Sequence, residues 1–143
     1  MKITVFLFFL TLAIFIGCTT KPVRKTIPAD GANMYVMFCA RCHQLDGKGI
    51  PGTYPPIYNS DYLMEDRERS IRILIYGQEG EITVNGEKYN GTMKPPEYPD
   101  LYDNEIAAIL TYVRNNMGNS GDSVSTEEVT EIRKKYAPKI PKH

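Results

Sequence analysis

Three side chains within five consecutive residues are the most chemically informative feature of this 143-residue sequence. Cys39 and Cys42 are three positions apart, and His43 follows directly. In a helical segment, residues three and four positions apart lie on one face, so two thiols and an imidazole would point to the same side. Such a set can form two bonds through sulfur and bind a metal through nitrogen.

The spacing Cys-x-x-Cys-His is the attachment site of a c-type haem, whose vinyl groups bind the thiols and whose iron binds the histidine. A zinc site is one alternative, but it needs about four ligands. Only His143 at the C-terminus remains to complete such a site once Cys18 is used elsewhere. A thioredoxin-like redox pair is a second alternative, but no parallel-sheet pattern surrounds Cys39. The motif therefore predicts one covalently bound haem c.

The N-terminal sequence predicts export. Residues 3–16 are apolar, and at about 1.5 Å per helical residue they are too short for the roughly 30 Å hydrocarbon core of a bilayer. A signal peptide fits this length better than a permanent span. Residues 15–18 resemble a bacterial lipobox, which predicts a signal peptide at 1–17, a lipid on Cys18 and a flexible tether over 18–28. An ordinary signal peptide with Cys18 present by chance is the alternative.

The iron of an electron-carrying haem usually has a second axial ligand, and methionine is the candidate type because His143 is terminal. The candidates are Met34, Met37, Met64, Met93 and Met117. The first two share the helix of the cysteines and cannot reach the opposite haem face, the third is predicted in a short turn, and the last ends a helix. Met93 lies in the Gly- and Pro-containing stretch 89–96, predicted as an irregular loop. The pattern favours Met93 as the ligand, with a packing role as the alternative.

Four amphipathic segments must position these side chains. The predicted helices are Asp30 to Cys42, Glu65 to Tyr76, Asp103 (as the cap) to about Gly118, and a short helix from Ser125 to Tyr136. The charged face of the second helix, with Glu68 and Arg72 as an i,i+4 pair, is expected to be solvated.

Two shorter patterns complete the expected fold. Asn85-Gly86 is a strong hairpin signal and predicts a small β-turn excursion within residues 82–89. Val129, Ile132 and Tyr136 share one face of the short C-terminal helix and are expected to dock on the domain.

Composition excludes several classes of protein. Seventeen basic residues balance 17 acidic ones, so the chain is no polycation for nucleic acid. Three cysteines exclude a disulfide framework. Hydrophobic residues make up 42% of the chain, but 13 of them lie in the first 17 positions, so the rest is about 37% hydrophobic. That share is low for a globular domain, and we expect a cofactor to complete the core.

The chain resembles a single-haem class I cytochrome c domain over about residues 29–119. The resemblance rests on Gly31 and Tyr35 before Cys39, Cys39 to His43, Asp46-Gly47-Lys48-Gly49, Pro55-Pro56-Ile57, Val84-Asn85-Gly86, Tyr89-Asn90-Gly91-Thr92-Met93, and Leu110 to Asn116. It implies an all-α cytochrome c fold, with three to five helices wrapped around one covalent haem and a small β-hairpin excursion. It also implies that the first and third predicted helices cross, with Gly31 permitting close approach to Tyr112. Residues 120–143 would form a C-terminal extension.

The resemblance also implies roles for individual residues. Cys39 and Cys42 would hold the haem, and His43 and Met93 would ligate the iron. The carbonyl group of Pro55 would accept the ring N–H of His43. The remaining residues implied beside the cofactor are Tyr89 and Asn90. The sequence departs from the family pattern at two positions. Gln44 stands where a Gly commonly follows the His, and Lys94 stands where a Pro often follows the Met.

By the same resemblance, the protein would be an electron carrier and not an enzyme. It would be a monomer, lipid-anchored to a membrane and facing the periplasm or the outside of the cell. Its partners would be redox proteins such as an oxidase, a reductase or a dehydrogenase. An electron-entry subunit of a larger dehydrogenase, nitrite reductase or oxidase complex is the alternative. A haem enzyme or gas sensor would need an open sixth position on the iron.

Overall fold

The structure, a computed structural model, describes residues 29–96 and 101–137. The predicted signal peptide, Cys18, the tether and His143 lie outside these residues. The elements are α1 (Gly31–Phe38), α2 (Ala40–His43), α3 (Asp61–Glu65), α4 (Arg67–Tyr76), β1 (Gln78–Val84), β2 (Glu87–Met93), α5 (Asp103–Asn115) and α6 (Thr126–Tyr136). Within the described ranges, no helix has the length and apolarity needed to cross a bilayer.

Helices α1 and α5 cross at Gly31, as predicted. The carboxylate of Asp30 caps α1 by accepting two backbone N–H groups of its first turn. A Cβ atom at Gly31 would lie 2.1 Å from the carbonyl oxygen of Ala108 and 2.9 Å from the Cβ of Tyr112. No side chain fits at those distances, so the crossing requires glycine at this position.

The helices are more numerous than the predicted three to five, because the described residues contain six. The helix predicted from Asp30 to Cys42 is interrupted at Cys39, which has φ −116° and ψ −36° and separates α1 from α2. Helix α3 is additional: the Ser60 side chain caps it, and it contains Met64, which was predicted to lie in a turn. Asp66 then stands in an extended conformation and caps α4 through the N–H of Arg69. The Asp66 cap therefore starts α4 two residues after the predicted Glu65, whereas no side chain caps the break at Cys39.

Strands β1 and β2 form one antiparallel hairpin with Asn85 and Gly86 at its tip. Both tip residues have positive φ, 52° and 83°, as a type I′ turn requires. The hairpin prediction is confirmed, but the ladder is longer than expected and runs to the pair Gln78 and Met93. The prediction of an irregular loop from Tyr89 to Met93 was wrong, because these residues are hydrogen-bonded as strand β2.

The hydrophobic core joins α1, α4, α5 and α6. Its buried members are Tyr35, Ile71, Leu101, Ile106, Ala107, Ile109, Leu110, Val113, Val124, Val129 and Ile132. Tyr136 packs against this cluster, so the predicted docking of the C-terminal helix is confirmed. The side chain of Val129 is fully buried, and α6 is therefore part of the core.

Two polar contacts of α6 were not predicted, and one prediction about α5 was wrong. Asp103 is the first residue of α5 and not its cap, which is Tyr102. The carboxylate of Asp103 instead accepts a hydrogen bond from Arg133 of α6 at 2.7 Å. Glu68, predicted on a solvated face, binds the ammonium group of Lys135 at 2.7 Å. Neither contact is visible in local sequence, because the partners are 30 and 67 residues apart.

Candidate haem-binding site

The imidazole of His43 is buried and held in one orientation. Its Nδ1 atom lies 2.9 Å from the carbonyl oxygen of Pro55, the contact that the resemblance implies. A carbonyl oxygen can only accept, so Nδ1 carries the proton and the lone pair is on Nε2. Burial lowers the pKa of His43, while the hydrogen bond to Pro55 opposes that shift in part. The neutral ring thus presents Nε2 as a ligand, in the manner of histidines that bind metals.

The loop between His43 and Pro55 is tightened by glycine. A Cβ atom at Gly49 would lie 2.2 Å from the carbonyl oxygen of Tyr54 and 2.7 Å from that of Pro55. The N–H of Gly49 donates to the carbonyl oxygen of His43 at 2.9 Å. The glycine motif that follows the histidine therefore brings the accepting carbonyl group to the ring.

Gln44 adopts a backbone conformation that explains why glycine is common at this position. Its φ and ψ are 64° and 163°, a region populated almost only by glycine and costing about 1–3 kcal/mol for other residues. The hydroxyl of the buried Tyr35 donates to the carbonyl oxygen of Gln44 at 2.6 Å. This hydrogen bond fixes the strained peptide directly after His43.

Cys39 and Cys42 are partly buried free thiols. Burial raises the pKa of the Cys39 thiol to about 11, and the neighbouring Cys42 adds to the shift. Redox-active dithiols need a lowered pKa, because the thiolate is the reacting species. The structure therefore disfavours the thioredoxin-like alternative.

A zinc site also finds no support in residues 29–96 and 101–137. No group of three or more His, Cys, Asp or Glu side chains is arranged there to hold a metal ion. The remaining chemistry of the motif is that of two thiols beside a ligating imidazole.

The hairpin brings Tyr89 and Met93 to the same face. Alternate residues of a strand point to opposite faces, and in β2 Tyr89 is buried and Met93 half-buried while Asn90 between them is exposed. Asn90 lies opposite Glu81 on the outer face. The structure thus places Tyr89 and Met93 together and the Asn90 side chain apart from them.

Two glycines leave open space on the hairpin. Gly80 and Gly91 face each other in the ladder, between the pair that contains Tyr89 and the pair that contains Met93. A Cβ atom at either glycine would have no neighbouring atom within 4 Å, and Gly91 is exposed. A neutral imidazole, two thiols and a half-buried thioether fit the donor set of a haem.

Sequence reasoning missed the polar contacts that hold the start of α5. Arg133 binds both Asp103 and the carbonyl oxygen of Leu101, where the chain enters α5. Only the amphipathic pattern of α6 signalled that this helix docks, and it gave no indication of the polar partners.

Comparison with known proteins identifies the family. The cytochrome c family matches residues 28–116. Cytochrome c-552 of Thermus thermophilus is 40% identical to this chain over 120 aligned residues, which cover 77% of this chain and 89% of that protein. The fructose dehydrogenase cytochrome subunit of Gluconobacter japonicus is 34% identical and covers 76% of this chain but 23% of that subunit. The cytochrome c subunit of the quinone alcohol dehydrogenase of Gluconacetobacter polyoxogenes is 26% identical, over 80% of this chain and 24% of the subunit.

The family match spans more than half of the chain and includes the Cys39-x-x-Cys42 motif. The relatives include a cytochrome that aligns over most of its own length and the cytochrome subunits of two dehydrogenases. The chain therefore belongs to the cytochrome c family, as a single-haem class I c-type cytochrome that carries electrons with a covalently bound haem c.

Proposed function

We propose that this cytochrome is a membrane-tethered, extracytoplasmic carrier that passes single electrons between respiratory redox proteins. Cys39 and Cys42 would hold the haem as thioethers, and His43 and Met93 would ligate its iron. Residues 29–119 would form the electron-carrying domain around the group. The contact between His43 Nδ1 and the Pro55 carbonyl oxygen carries this assignment, because it leaves Nε2 free for the iron.

Each proposed ligand contributes a different property. The haem iron supplies the one-electron change between ferric and ferrous states. His43 would bind the iron with a fixed ring orientation, because its Nδ1–H group donates to the Pro55 carbonyl oxygen. The thioether of Met93 is a soft, neutral donor that favours the ferrous state and raises the reduction potential. Tyr89 covers the hairpin face next to Met93, and the role of Asn90 stays a prediction from the resemblance.

Reversible one-electron reduction tests the carrier role. We expect the purified protein to take up one electron per chain from dithionite and to return it fully to ferricyanide, with unchanged spectra over repeated cycles. Two firm axial ligands leave no open position, so carbon monoxide should not alter the ferrous spectrum at neutral pH. Rapid carbon monoxide binding by the wild-type protein would favour the gas-sensor alternative instead.

The tether is proposed from Cys18, which lies outside the described residues. A signal peptide over 1–17, a lipid on Cys18 and a flexible segment over 18–28 would leave the domain free to reach its partners from the membrane surface. Cytochrome c domains are typically extracytoplasmic, which agrees with such an arrangement.

Replacing Cys18 by serine is expected to release the protein from membranes into the soluble exported fraction, because one sulfur carries the whole anchor. Cell fractionation followed by haem staining measures the distribution, and the visible spectrum should be unchanged. Full retention of Cys18→Ser in the membrane fraction would refute lipid anchoring.

A permanent subunit of a larger complex is the second candidate. It is favoured by the dehydrogenase cytochrome subunits among the relatives, in which the matched region is about a quarter of the subunit. Gel filtration of the Cys18→Ser protein separates the two candidates. A haem peak at the monomer mass supports a free carrier, and a peak that includes other polypeptides supports a subunit.

A further inference from the structure

Helix α6 lies beyond residue 116, where the family match ends. Its residue Arg133 makes two contacts at the start of α5. The Nε atom of Arg133 donates to the Asp103 carboxylate at 2.7 Å, and its Nη2 atom donates to the carbonyl oxygen of Leu101 at 3.2 Å. Thr130, one turn earlier, donates to the other oxygen of the same carboxylate at 2.6 Å. Arg133 therefore binds the backbone directly before α5.

Arg133 also contacts the end of α4. The hydroxyl of Tyr76, the last residue of α4, donates to the carbonyl oxygen of Arg133 at 2.9 Å. Gly77 follows directly, and a Cβ atom there would lie 2.6 Å from the carbonyl oxygen of Met93 and 3.0 Å from the Cδ of Pro95. The end of α4 thus packs against the backbone of Met93 itself.

Arg133 consequently connects the start of α5 to the end of α4. The end of α4 in turn contacts the Met93 carbonyl group. The Arg133 side chain is 38% exposed and its guanidinium forms a charge-assisted hydrogen bond with Asp103, a class that is among the stronger ones in proteins. Lys134, the next residue, is largely exposed and pairs with Glu131 of its own helix.

We propose that Arg133 is a positioning residue for the Met93 thioether, so that α6 determines how firmly this ligand stays on the iron. The inference rests on the proposed role of Met93 as axial ligand. In physical terms, the end of α4 supports the Met93 backbone, and α6 is joined to the end of α4 by the Tyr76–Arg133 hydrogen bond and to the start of α5 by the Arg133 guanidinium. Removing the guanidinium loosens α6 and with it this support, which lowers the cost of moving the sulfur away and favours displacement by another ligand.

Competition by imidazole measures this cost directly. Imidazole binds ferric haem only where the thioether has left, and its binding removes the far-red sulfur-to-iron absorption band. We expect Arg133→Met to tighten the apparent imidazole affinity about tenfold, the effect of losing roughly one charge-assisted hydrogen bond. Asp103→Asn, which keeps a partner for Thr130 but removes the negative charge, should tighten it by a smaller factor, about threefold. Lys134→Met is the matched control and should leave the affinity unchanged.

A purely structural role is excluded by a second control. Val129→Ala weakens the packing of α6 without touching the contacts of Arg133, and urea unfolding of all variants gives their stabilities. Equal imidazole affinities of Arg133→Met and the wild type would overturn the inference, as would an equal tightening by Val129→Ala at matched stability. Failure of the underlying ligand assignment has a different signature, since Met93→Ala would then keep the far-red band.

Discussion

Met93→Ala is expected to abolish the far-red sulfur-to-iron absorption band of the ferric protein. Without the thioether, water or an added ligand takes the sixth position, and the ferric state gains relative stability. The reduction potential should fall by on the order of 100 mV, since axial ligands are the main determinant of haem potential. Visible spectroscopy and a redox titration measure both effects.

Met64→Ala is the matched control for this experiment. Met64 is another half-buried methionine, and its methyl group packs beside Gly121 instead of on the hairpin. The band should survive that replacement. An unchanged band in Met93→Ala would assign the ligand to a different residue, and loss of the band in Met64→Ala would point to Met64.

The double variant Cys39→Ser, Cys42→Ser is expected to lose all covalent haem. In the wild type, two thioethers should keep the haem on the denatured chain, whereas acidified organic solvent should extract it completely from the double variant. Intact mass spectrometry after co-expression with the haem-attachment machinery measures the bound fraction. A wild-type chain of bare polypeptide mass would contradict the assignment.

The third cysteine provides the control for covalent attachment. Cys18→Ser should retain its haem fully, because Cys18 stands outside the Cys-x-x-Cys-His motif. The chain beyond residue 17 is only about 37% hydrophobic, so the double variant should also be poorly folded without its cofactor. Near-native circular dichroism of the haem-free protein would contradict that expectation.

The parts of the fold that follow from local sequence were predictable. Asn85-Gly86 marks a type I′ turn because both residues tolerate positive φ. The helix crossing at Gly31 was instead implied by the family resemblance, and the structure shows why glycine is needed there. The apolar face of the C-terminal helix predicted its docking, since Val129 and Ile132 had to be buried against something.

The parts that sequence did not predict depend on competing local or distant partners. The break at Cys39 lies inside a continuous apolar pattern, and periodicity alone gives no sign of it. Gly and Pro around Met93 suggested a loop, but pairing with β1 makes the same residues a strand. Asp103 has the residue type of a helix cap, yet the guanidinium of Arg133, 30 residues away, takes its carboxylate.

The burial of α6 has a consequence for how this cytochrome could be moved between proteins. The recognisable domain ends at residue 116, whereas Val124, Val129 and Ile132 belong to the common core. Burying one such side chain contributes roughly 1.5–3 kcal/mol, so cutting at the recognisable boundary removes an amount comparable to the total stability of about 5–15 kcal/mol of a small domain. A fusion or a transplanted module that respects the folding unit must therefore extend at least to Tyr136.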